Sequence, residues 1–280
     1  LIGVNVGDGE PEISGAGSAF KLSGALGAGN TVSIDNFVIT NPARSGIEAL
    51  GDVTLGTLSA TNLSVTGAIY NGIEINGAVI SNTILTDSTF ENNGNRSAAG
   101  GGAGDVMFFQ YGGDATLQNL TITGDWNGTD GPNTGIQFRG DTGAIGTVTI
   151  EDVTLNGAYR NQPIGIFNYD NVDGLKMVDV TVNADSVSYG TAINIEGITG
   201  DIDFSNTAQF SNVTVPSTAT PGTDPVSLQG DGAGQTIVGK GEAEFIRAFG
   251  GNDDLRGNGG DDVILGFERT GAADSDVDTA

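Results

Sequence analysis

The sequence predicts an all-β solenoid: a right-handed parallel β-helix of about seven coils over residues 1–215, a linker over 216–229, and a short parallel β-roll with a tail over 230–280. Three observations carry this. Short β-branched and aromatic runs recur with an Asn or Asp at one fixed place in each. Near the C-terminus a large aliphatic returns every ninth residue, and no stretch of useful length shows the 3.6-residue period of a helix.

The first repeat reads apolar-x-Asn/Asp-apolar-x-apolar. It begins at Ile34-Asp35-Asn36-Phe37-Val38-Ile39 and recurs with its polar residue at Asn62, Asn119, Asp152, Asp179 and Asn212, with a degenerate copy around Asp87. The intervals run from 25 to 33 residues, as expected of coils joined by loops of unequal length. Asn and Asp tolerate the left-handed backbone of a sharp corner, and their side chains can bond the next coil, so these seven positions are read as structural. A second element alternates with the first, at Gly46-Ile47, Gly72-Ile73, Val106-Met107-Phe108, Gly135-Ile136, Gly165-Ile166 and Ala192-Ile193-Asn194-Ile195. Aliphatics such as Ile34, Leu63, Leu120, Ile150, Leu155 and Val180 are then expected to stack into one continuous core. The stretch Pro216 to Pro225 is rich in Pro, Gly and Thr and reads as the linker.

The nine-residue ladder is Ile237, Ile246, Leu255 and Ile264, and its last two turns are the Gly-rich acidic loops AFGGNDDLR and GNGGDDVIL. A nonapeptide G-G-x-G-x-D-x-U-x winds into a roll in which the turn binds calcium and U is buried. Calcium takes oxygen ligands, and a Gly-rich turn can aim backbone carbonyls that a bulkier chain could not. Asp253 and Asp262 occupy the acidic position, within loops that also contain Gly251, Asn252, Gly260 and Asp261. Two nonapeptides make one turn, so each loop should stack on the loop eighteen residues earlier. Asp262 would then face the loop ending in Glu244, and Asp253 the loop ending in Gln235. Those partners are imperfect copies, which predicts one or two ions of Ca2+ rather than a full array.

This segment resembles the RTX (repeats-in-toxin) family of calcium-binding, type I secreted bacterial proteins. The resemblance implies export through a dedicated channel and folding outside the cell, where calcium is abundant, placing the protein in the extracellular medium or on a bacterial surface. The chain has no initiator Met and opens at Leu1-Ile2-Gly3-Val4 in what reads as mid-strand, as expected of a piece of a longer polypeptide.

Composition narrows the classes of partner. With 35 acidic and 10 basic residues the formal charge is −25, a field that repels nucleic acid. There is no Cys, so no disulfide can staple the fold, and metal and packing must hold it. No apolar run approaches the ~18 residues that a membrane span needs.

Three long inserts, Asn92 to Asp105, Gly124 to Thr134 and Gly157 to Pro163, follow the same strand in successive coils and should project from one side. Trp126 and Tyr159 lie in these inserts, while Tyr111 and Tyr169 follow the other strand. Arg96, Arg139 and Arg160 interleave with acids that include Asp141 and Asp170. Aromatics stack on sugars and Arg pairs with carboxylates, so this loop face points to an acidic polysaccharide. The arrangement also resembles β-helix carbohydrate enzymes, pectate lyases and alginate epimerases among them, some of which join a β-helix to RTX-like modules. The His-bearing motifs of the epimerases and of the related hydrolases cannot be present, because the chain has no His. A lyase reading would use Arg139 or Arg160 as base, with Asp141 and Asp170 holding a metal. The leading reading is non-catalytic: a calcium-stabilised scaffold, adhesive or matrix component that associates with like subunits or captures glycans. Thr-x-Thr pairs such as Thr121-Ile122-Thr123 raise ice binding as a third reading, weakened by the lack of a fixed period.

Overall fold

A computed structural model describes residues 12–14, 17–94, 103–109, 112–128, 131–140, 145–167, 172–186, 191–198, 202–205, 207–215, 226–230, 234–241, 243–249 and 251–266. The described chain is all-β, and its strands pair in parallel into three sheets. Sheet A holds β1 (Glu12–Ser14), β3 (Ala25–Thr40), β5 (Thr54–Thr66), β7 (Val79–Glu91), β9 (Gly112–Asp125), β11 (Ile145–Tyr159), β13 (Val172–Ser186) and β16 (Phe210–Ser211). Sheet B alternates with it in the chain. Its strands are β2 (Phe20–Leu22), β4 (Ile47–Leu50), β6 (Asn71–Asn76), β8 (Gly104–Phe109), β10 (Thr134–Arg139), β12 (Ile164–Phe167), β14 (Ile193–Ile198), β17 (Val226–Gly230), β19 (Glu244–Ala248) and β21 (Val263–Gly266). The short sheet C, of β15 (Ile202–Asp203), β18 (Thr236–Val238) and β20 (Asp254–Arg256), alternates with the C-terminal end of sheet B in sequence order. Among the described residues no helix is long and apolar enough to cross a membrane.

The long strands of sheet A are bent, and the seven repeated polar residues do the bending. Asn36, Asn62, Asp87, Asn119, Asp152, Asp179 and Asn212 all have positive φ, between 52° and 62°. Around each one the inside-outside alternation slips by one residue. In β5, for example, Ala60 and Leu63 are both buried although two residues separate them. One left-handed residue thus lets both arms of the strand face the core. The corners also bond between coils: Asn119 Nδ2 donates to Asp87 Oδ1 at 2.6 Å, and Asn212 Nδ2 donates to Asp179 Oδ1 at 2.7 Å. On the outer surface Ser64, Thr89, Thr121, Thr154, Thr181 and Thr214 fall in one register despite their unequal spacing.

After β14 the coil narrows. β18 and β20 are paired across eighteen residues, Ile237 with Leu255, and so are β19 and β21, Ile246 with Ile264. Sheet B runs through the change without a break, since β17 pairs with β14 on one side and β19 on the other. β17 begins inside the segment read from sequence as linker; residues 216–225 lie outside the described residues. A single hydrophobic cluster extends from Phe20 to Leu255, so the narrow coils continue the core of the wide ones.

Candidate functional site

Two places concentrate chemistry. The first is the edge of the narrow coils. Asp253 Oδ1 accepts the backbone N–H of Gln235 at 2.9 Å, and Asp262 Oδ1 accepts that of Glu244 at 3.0 Å. Each Asp therefore reaches down to the residue eighteen positions earlier, in the register expected from the nonapeptide period. The four residues Gln235, Glu244, Asp253 and Asp262 stand two positions before the four buried or half-buried aliphatics of the ladder. Glu244 is fully buried and Asp253 is 3% exposed.

Glycines make room for these side chains. A Cβ on Gly239 would sit 2.6 Å from Glu244 Oε2, and one on Gly257 would overlap Asp262 Oδ2. The Asn252 carbonyl packs over Gly234, 2.9 Å from where a Cβ would be. Gly251, Asn258 and Gly260 adopt positive φ, which turns the loops tightly. Asp261 is exposed. Among the described residues no three His, Cys, Asp or Glu side chains cluster as a metal site. A cation at either stack would take carboxylate oxygens and fill its shell with loop carbonyls. The oxygen-only, Gly-cradled donor set fits calcium, whose shell is flexible and oxygen-based. Burying carboxylates such as Glu244 and Asp253 costs several kcal/mol, on the order of what a nearby positive charge returns.

The second place is a cleft of about 500 Å³ on the outer face of sheet B. Along this sheet the residues between the core positions form one outward column. Its N-terminal half is Lys21, Glu48 and Glu74, followed by Met107. Here the column is filled. Glu48 is bonded by Arg44 Nε and by Ser18 Oγ, both at 2.9 Å, with Lys21 Nζ at 3.5 Å, while Glu74 accepts Ser45 Oγ at 2.9 Å. Its C-terminal half continues in register as Gln137, Gly165, Asn194 and Ser227. There the column opens into the cleft, which is walled by Arg139, Phe167, Glu196 and the loop residues Asn133, Asn161 and Gln162.

The structure redistributes the residues expected on the loop face. Arg139 lines the cleft, with its guanidinium 5.9 Å from the Phe167 ring centroid. Arg160 lies 5.6 Å from the Trp126 ring centroid and is not among the lining residues; Trp126 itself is only 9% exposed. The expectation that Tyr159 offers a stacking platform is corrected, because it is fully buried. It ends β11 at an inward position rather than sitting in a loop, and its ring packs under Gly124, where a Cβ would come within 2.7 Å of it. Arg96, Tyr111, Asp141, Tyr169 and Asp170 lie outside the described residues.

Tyr159 belongs to a buried polar cluster that sequence reasoning missed. Asp105 is fully buried at the start of β8 and accepts Asn93 Nδ2 at 2.9 Å and the Asn93 N–H at 3.2 Å. Asn93 in turn donates to the Val65 carbonyl and accepts the Ala68 N–H, both at 3.0 Å. Burial pushes the Asp105 carboxyl up to about 8, against the opposing pull of the Asn93 bonds. The Tyr159 hydroxyl faces this carboxyl without closing a hydrogen bond of ordinary geometry, and burial followed by the Asp105 charge raises its own pKa. The sequence signal is an Asp where the flanking strands carry Gly72 on one side and Gly135 on the other. No protein-family model, no curated protein and no solved structure shows significant similarity to this chain.

Proposed function

We propose that this chain is a calcium-stabilised, non-catalytic segment of an exported bacterial protein, serving as a structural or adhesive component at the cell surface or in the extracellular matrix. Its wide part is read as a right-handed parallel β-helix, the hand that parallel crossovers adopt almost without exception, and its narrow part as a calcium-binding β-roll. The observation that carries the reading is the eighteen-residue stacking, in which Asp253 and Asp262 each close on the coil below from a Gly-rich turn. Asp253, Asp262 and Glu244 would supply carboxylate oxygens, and the turns around Gly251-Asn252 and Gly260-Asp261 would supply carbonyls.

The lyase reading draws on Arg139 alone, since Arg160 is packed on Trp126 away from the cleft lining. Calcium titration by isothermal calorimetry tests the proposal. Binding is expected in the unaltered chain and is lost on replacing Asp253→Ala together with Asp262→Ala; unchanged affinity in that double variant would overturn the metal assignment. Incubation with polyuronates, followed by ultraviolet absorbance, addresses catalysis: an unsaturated product abolished by Arg139→Ala would replace the scaffold reading with the lyase.

A further inference from the structure

We propose that the cleft on the outer face of sheet B binds a neutral polysaccharide chain, laid along the solenoid axis. This deepens the adhesive reading by naming its ligand class, and rests on that reading only in treating the ligand as a surface or matrix polymer.

The outward column of sheet B changes character along the chain. In the N-terminal coils it is occupied by Glu48 and Glu74, which are bonded to Arg44, Lys21 and Ser45. In the later coils the same positions hold Gln137, Gly165, Asn194 and Ser227, and the charges are gone. Gln137 and Asn194 are each 7% exposed and Ser227 is 5% exposed, so they are recessed walls rather than solvated surface. Gly165 forms the notch between them. A Cβ there would lie 2.8 Å from both Gln162 Nε2 and Phe167 Cε2, so these two side chains occupy the space above a missing one.

The lining matches sugar hydroxyls. Six of its side chains are Asn or Gln, and each amide offers donors and an acceptor, as a hydroxyl does. Several are held in place: Asn194 Nδ2 donates to Glu196 Oε1 at 2.7 Å, and Gln229 Nε2 donates to Ser227 Oγ at 3.1 Å. Phe109 and Phe167 add apolar ring surface, which can pack on the C–H face of a pyranose. The cleft draws on β8, β10, β12, β14 and β17. At the usual strand spacing these five strands span about 19 Å, room for several sugar units in a row.

Charge selects against a polyuronate. Among the lining residues Arg139 is the one cation and Glu196 the one carboxylate, within a chain of formal charge −25. Such a field repels a polyanion. Glu196 is a lone carboxylate among the described lining residues, and the assignment made is binding.

The test is affinity electrophoresis and calorimetry of the full chain in excess calcium. The probes are soluble neutral β-glucan, galactomannan and arabinoxylan, set against alginate and pectate. Retention by at least one neutral polymer is expected. Gln137→Ala with Asn194→Ala should weaken it at least about tenfold, the loss of two amide hydrogen bonds, in a variant that a cooperative melt shows to be folded. Gly165→Leu, which must push the Gln162 and Phe167 side chains into the cleft they line, should abolish it. Absence of neutral binding, preference for the polyuronates, or retention unchanged by the double variant would each overturn the proposal. Calcium-dependent melting of residues 226–266 is read in the same samples, so failure of the cleft is distinguishable from failure of the calcium reading.

Discussion

The wide and narrow coils solve the same problem, turning a strand through a tight corner, with different chemistry. In the wide coils the corner residue is an Asn or Asp in the left-handed region, and Asn119–Asp87 and Asn212–Asp179 bonds complete it within the protein. In the narrow coils Gly251, Asn258 and Gly260 take the strained backbone, and the acidic side chains instead cap an N–H of the coil below. The bonded wide corners set an amide donor against a carboxylate acceptor, so they are closed by hydrogen bonds alone. In the narrow corners an acidic side chain reaches only the backbone N–H of the coil below, as where Asp262 Oδ1 accepts that of Glu244, and under the proposed reading a cation completes the stack. Coils whose corners close by hydrogen bonds and coils proposed to close on metal thus share one continuous sheet B.

Removing calcium is the sharpest way to separate the two. Chelation should release hydrogen-exchange protection across residues 226–266 while β3 to β11 stay protected, and should admit protease near Pro216 to Pro225. Uniform loss of protection along the chain would show that the narrow coils are no separate unit. The next largest effect lies in the wide coils. Phe108 and Phe138 stack with centroids 4.5 Å apart and planes 7° from parallel. Phe108→Ala should cost about 3–5 kcal/mol in denaturant unfolding, by the same amount with or without calcium.

Asp105 gives the comparison a pH axis. Its carboxyl holds a proton up to about pH 8 when folded but only to near its ordinary 3.8 when unfolded. The folded state therefore binds more protons between these values, so this group's contribution is full at low pH, falls as pH rises through that window and is flat above it. Asp105→Asn should flatten the decline, with a gain on the order of a few kcal/mol at alkaline pH. The measurement is the difference in melting temperature between variant and parent from pH 4 to 9, and a constant difference would show that Asp105 does not titrate in that range.

Much of the frame is legible in the amino-acid sequence because it repeats. All seven corner residues and the eighteen-residue stacking follow from periods that survive loops of variable length. The cleft is not legible there, since Gln137, Gly165, Asn194 and Ser227 share neither residue type nor spacing; only the register of sheet B aligns them. Tyr159 escapes for a related reason. It follows Gly157, which reads as a turn, yet Gly157 is paired within β11 and the strand carries on to deliver the ring inward. Long loops on one side do point toward the right edge, as Asn133, Asn161 and Gln162 show, but the binding surface they flank is the sheet itself.

The smallest effect tests the corner itself. At Asn119 the backbone has φ 52° and the side chain donates to Asp87. Asn119→Ala loses the bond and puts an unsuited residue in the left-handed region, at about 1–2 kcal/mol for the backbone term. Asn119→Gly loses the bond but relieves the backbone, so it should cost less than Ala. The order Asn above Gly above Ala in denaturant midpoint is expected in the wide coils. At Asn258, whose φ is 69° and whose Nδ2 donates to the Gly239 carbonyl at 2.8 Å, the same series should give the same order only while calcium is bound. Once the narrow coils have melted, nothing at Asn258 is left to distinguish the three residues. An undiminished Asn258 series under chelation would mean that the narrow corners, like the wide ones, close without metal.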